Sequence, residues 1–139
     1  MNDQLRSLQN VTQIILDAEL AKLRRLSDET RLRQEKLAEL VAVRAARSVE
    51  VQNGNASSDL AFQTGQDGRW QAWVARANSR LTREAADAAA RREAQRMKAQ
   101  RAFGRVDALA RIRALEDDAR KQRKARRLLA EAGGSDAAG

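Results

Sequence analysis

Cysteine, histidine, proline and tyrosine are all absent from this chain of 139 residues, and two Phe and two Trp are its only aromatics. Without cysteine there can be no disulfide and no thiolate metal site, which fits a reducing compartment. Without histidine the commonest general base and metal ligand is missing. Aromatics make up 3% of the residues and alanine is the most abundant of the apolar ones, so a sizeable globular core is excluded. The lack of proline leaves nothing to force a helix apart from within. No apolar run approaches the ~20 residues that span a bilayer. The opening MNDQLRSLQNVTQIILDAEL has no basic stretch leading into an apolar one, so no signal peptide is read there and a cytoplasmic protein without membrane insertion is expected.

What is present is helix-forming and charged. Charged residues are 33% of the chain, and Ala, Arg and Leu dominate. With sustained periodicity, that composition marks a long helix or coiled coil rather than disorder. The net charge of +8 is unevenly placed. Residues 1–68 carry 9 Lys/Arg against 10 Asp/Glu, residues 69–127 carry 18 against 7, and the tail from Leu128 adds two acids, giving −1, +11 and −2.

Two helices and one break are expected. Residues 1–52 read as the first coiled-coil helix, with Leu16, Leu20, Leu23, Leu37 and Val41 on a ladder of alternating steps of four and three. Ser27, Thr30 and Gln34 occupy the middle rungs, which makes a heptad seam with a polar centre. Leu5, Leu8, Val11 and Ile15 form a stripe slightly rotated from it. Residues 53–68 hold the interior cluster of Gly, Asn, Ser and Asp and read as the hairpin loop. In it Asn53-Gly54 suits a left-handed helix cap and Asp67 an N-cap, with one helical turn at DLAFQ laying Leu60 and Phe62 on the bundle.

Residues 69–131 read as the second helix, and 132–139 as a disordered tail. Its seam is Val74, Ala77, Leu81, Ala85, Ala88, Arg92, Gln95, Ala99, Ala102, Val106 and Leu109, small enough for close approach of a partner helix. An antiparallel register in which paired residue numbers sum to about 120 sets polar against polar and apolar against apolar. The fold expected is therefore all-α, an antiparallel two-helix coiled-coil hairpin whose longer second helix overhangs the first from Arg120. Gly104, inside that helix, marks a close contact or a slight kink.

No residues are assigned to catalysis, a cofactor or a metal. Asp28-Glu29 and Asp117-Asp118 lie on helix surfaces with no pocket around them, and there is no phosphate-binding loop, dinucleotide fingerprint or metal-ligand spacing. The chain is not expected to be an enzyme. The basic second half raises nucleic acid as a partner, but its cations are spread around the helix and interrupted by Glu84, Asp87, Glu93 and Asp107. Trp70 and Trp73 share a helix face at the loop end. They read either as a plug over Val49, Val51 or Phe62, or as an anchor for a partner, with one packed and one partly exposed.

A long hairpin with RWQAWVARANSRL opening its second helix resembles the FliJ family, the small stalk proteins of the flagellar type III export ATPase, and its YscO-type injectisome counterparts. Family members have an Arg-Trp at the start of the second helix, an aromatic three residues on, and a spaced apolar series. Here those positions are Arg69, Trp70, Trp73, Val74, Ala77 and Leu81. The resemblance implies a fold similar to the coiled coil of the rotary ATP synthase gamma subunit and no active site. It also implies a place in the centre of the export ATPase hexamer, contact with the export gate protein and binding of export chaperones. The gate-facing tip would be Trp70, Trp73, Val74, Ala77 and Leu81, and the ATPase-facing overhang Arg120, Lys121, Arg123, Lys124, Arg126 and Arg127. The rival readings are a basic coiled-coil nucleic-acid-binding protein and a dimeric scaffold of continuous helices.

Overall fold

A computed structural model of the chain describes residues 2–54 and 65–138. It contains α1, Asn2–Asn53, and α2, Gln66–Ala138, packed against each other as a hairpin whose second helix is the longer, with no strand among the described residues. The hairpin divides into two compact units, Met1–Leu20 with Lys98–Gly139, and Ala21–Met97. The continuous-helix scaffold is thereby set aside for this chain. The helical turn expected at Leu60 and Phe62 lies outside the described residues.

Both helix ends at the break differ from expectation. Gly54 donates its N–H to the Glu50 carbonyl at 2.8 Å, an ordinary helical step, so Asn53-Gly54 is not a left-handed cap. Glycine suits the site for space instead, because a Cβ there would lie 2.7 Å from the Glu50 oxygen. The positive φ, 75°, belongs to Gly65, just before α2. Since α2 starts at Gln66, Asp67 sits within its first turn rather than at the cap. There its charge complements the positive end of the helix dipole, and its Oδ1 accepts a hydrogen bond from Arg47 Nε at 2.6 Å.

The seam of α1 runs through Leu5, Gln9, Thr12 and Leu16 and continues by the same steps to Thr30, Leu37 and Leu40, all buried or half-buried. The rungs expected at Leu16, Leu23, Thr30 and Leu37 hold. Ser27 is half-buried beside Leu26, whereas the other intermediate rungs fall one residue earlier, at Glu19, Arg33 and Leu40, and Leu20, Gln34 and Val41 are exposed. Thr30 is the buried polar centre, its hydroxyl donating to the Leu26 carbonyl at 2.8 Å.

On α2 the expected seam is buried or half-buried from Val74 to Leu109, with the exception of Arg92, which is exposed. Five of its residues, Val74, Ala77, Ala88, Ala99 and Ala102, form most of the apolar core. Their small side chains let a helix rich in leucine lie close, and the core stays thin.

Cross-helix pairs fix the register inside each unit. Arg113 donates to Gln9 in the first; Arg91 meets Glu29, Arg33 meets Glu84 and Arg47 meets Asp67 in the second. Their numbers sum to 122, 120, 117 and 114 in turn, which brackets the register expected from the sequence.

Gly104 has no steric reason to be glycine, since a Cβ there would meet nothing within 4 Å. The close contact expected of it is absent. Gly104→Ala should therefore stabilise the helix by ~0.5–1 kcal/mol, through propensity and a less flexible unfolded chain. A thermal melt followed by circular dichroism that shifted downwards would contradict this. The helix also continues through Gly133-Gly134 to Ala138, beyond the end expected near residue 131.

Candidate partner surfaces

Trp70 and Trp73 are placed by the first two turns of α2, which the Arg47–Asp67 ion pair clasps to the end of α1. That pair is well covered, with 19% and 11% of the side chains exposed, so solvent screens it less than a surface bridge. Behind it Val74 is fully buried and Ala77 nearly so. Trp70 occupies the seam rung before Val74 and is half-buried. Trp73, one residue ahead of Val74, is turned out and is 52% exposed.

The two indoles line a shallow groove of about 360 Å³ together with Leu40, Val43, Leu81 and the charged flank of Lys36 and Glu39. This is an apolar floor with one charge of each sign at its rim. Of the five tip residues expected to meet a partner, Trp70, Trp73 and Leu81 are available. Val74 and Ala77 face α1 and could reach a partner only if the hairpin opened. The groove adds Leu40 and Val43, which the sequence reading left out. They lie opposite Trp73 because the register at this end follows the ion pairs Arg33–Glu84 and Arg47–Asp67, whose sums of 117 and 114 fall short of the 120 expected from the sequence.

The terminal surface also differs in detail. Arg120 still lies alongside α1, lining a depression of about 110 Å³ with Leu5, Arg6, Gln9, Arg113 and Asp117. It also pairs with Asp117 at 3.7 Å. The overhang proper starts at Lys121, and every described side chain from there to Gly134 is exposed. Lys121, Arg123, Lys124, Arg126 and Arg127 then form a cationic helix with the exposed Leu128 and Leu129 behind them. On the exposed surface of α2, the Glu93 carboxyl is held below the usual carboxylate range by hydrogen bonds from the Arg96 guanidinium, with the charges of Arg96 and Arg92 adding to the effect.

No helix among the described residues is long and apolar enough to cross a membrane. Comparison with known proteins gives no matching family model, curated protein or solved structure.

Proposed function

We propose that the chain is a non-enzymatic stalk or adaptor of a flagellar-type (type III) protein export apparatus, working in the cytoplasm beside the membrane-bound complex. Its cationic overhang docks in the export ATPase ring, its tryptophan groove meets the export gate protein, and export chaperones are further partners. The observation that carries this reading is a pair of unlike surfaces on one non-globular chain: an aromatic groove formed by both helices in the second unit, and a basic, fully exposed stretch of α2 in the first. A helical hairpin that carries two such surfaces can link two partners while performing no chemistry itself. The FliJ-like run at Arg69–Leu81 supplies the identity of those partners.

Reversing Lys121, Arg123, Lys124 and Arg127 to Glu tests the ring-docking half. These side chains touch nothing in the seam, so helicity and melting should be unchanged. Affinity for purified export ATPase should fall at least about tenfold and become less sensitive to salt, because close ionic contacts are lost. A second reading, nucleic-acid binding, is favoured by the charge of +11 on residues 69–127. If the reversal abolished DNA binding and left ATPase binding untouched, that reading would replace the stalk.

A further inference from the structure

The first unit carries a lateral face that neither the seam nor the overhang uses. It is made by the residue preceding each seam residue, and in an antiparallel pair those positions of the two helices lie on the same side. On α1 the face shows Leu8, Val11 and Ile15, preceding Gln9, Thr12 and Leu16; on α2 it shows Ile112 and Leu115. These five apolar side chains are between 41% and 69% exposed. Further along α2 the same face presents Lys98, Arg101 and Arg105, all exposed and none held in an ion pair among the described residues.

The charge on this face has one sign. Its remaining positions are Gln4, Ala18 and Ala108, so it holds no carboxylate; Asp3 only borders it, beside Leu8 and Val11 in a shallow depression. The opposite side of the unit is mixed, with Arg6, Asp117 and Arg120 around one depression and Asp107 paired to Arg111. An apolar patch followed by three unneutralised cations fits a ligand with the reverse layout.

We propose that this face is a docking groove for an acidic amphipathic helix of a partner protein, which would complete a local three-helix bundle with α1 and α2. From Lys98 to Leu115 the face spans about 25 Å at 1.5 Å per residue, the length of roughly seventeen helical residues. The partner's apolar anchors, at i, i+3, i+4 and i+7, sit between Leu8, Val11, Ile15, Ile112 and Leu115. Its carboxylates sit over Lys98, Arg101 and Arg105. A second copy of this chain is disfavoured, because joining two such faces would bring six cations together with no counter-charge. The inference stands independently of the export reading.

The test uses the full chain and a labelled helical peptide of about twenty residues, with leucines at that spacing in its C-terminal half and glutamates at the same spacing in its N-terminal half. A version with lysine for glutamate is the control. Fluorescence anisotropy should show the acidic peptide binding at least about tenfold more tightly than the control, with affinity falling as salt rises. Ile15→Glu with Ile112→Glu, and separately Arg101→Glu with Arg105→Glu, should each weaken it by about tenfold or more while leaving the melt unchanged. Arg76→Glu with Arg83→Glu, the same charge change on the second unit, should leave it alone. Equal binding of both peptides, or the same loss from the Arg76/Arg83 control, overturns the proposal. So does face-dependent binding to phosphatidylglycerol vesicles, or face-dependent dimerisation in sedimentation, without peptide binding.

Discussion

Replacing Val74 by Asp is expected to open the second unit. Among the described residues Val74 is the largest fully buried apolar side chain, and it sits one turn after the first tryptophan. A buried carboxylate without a partner costs ~3–5 kcal/mol. The whole folding margin of an ordinary domain is ~5–15 kcal/mol, and a core built mostly of alanine stands at the low end of that. The thermal transition followed at 222 nm should drop sharply or split into two, since the clasp between Arg47 and Asp67 would no longer be held by the packing behind it. Val74→Ala should lose much less, and Trp73→Ala, at a half-exposed site, less still. A Val74→Asp protein that melted like the parent would mean the seam of α2 is drawn on the wrong face.

The second large effect is on binding. Trp70→Ala together with Trp73→Ala should strip the apolar wall from the groove formed with Leu40 and Val43. If that groove is the gate-binding surface, affinity for the purified export gate domain should fall by about thirtyfold or more, corresponding to ~2 kcal/mol or more for a lost hot-spot aromatic. The two tryptophans should not contribute alike. Trp70 is half-buried on a seam rung, so its removal should lower the melting temperature modestly as well as weaken binding. Trp73 is turned outwards, so its loss should appear in binding and hardly in stability. Binding to the export ATPase should be unaffected by either change. If the double variant unfolded, the indoles would be a structural plug. If it folded and still bound the gate domain at full strength, the tip would not be the docking surface.

The sequence by itself determined that there are two helices, where they break, and that the second is longer. It also determined nearly the whole seam of α2. Those readings were legible because each depends on local chemistry: no proline, one cluster of glycine and polar residues, and small apolar residues recurring by threes and fours from Val74 to Leu109. The antiparallel register was legible too, because only one sum sets the polar middles of the helices against each other.

The phase of α1 was only half legible. Leu16, Leu23, Thr30 and Leu37 belong to either order of steps, and the intermediate rung could fall on Leu20 and Val41 or on Leu26 and Leu40 with comparable apolar content. The tertiary structure chose the second. It did so through pairs far apart in sequence: Arg33 reaches Glu84 at 2.9 Å and Glu29 reaches Arg91 at 3.1 Å. Against a partner of alanines there is room at the rungs for long side chains, whose aliphatic stems cover the seam while their charges meet at its edge. No local period contains that information. The same choice of phase turned Leu8, Val11 and Ile15 out of the seam and set Leu40 and Val43 beside the tryptophans. Which residues of α1 are surface and which are core was thus decided by the fit of one helix to the other.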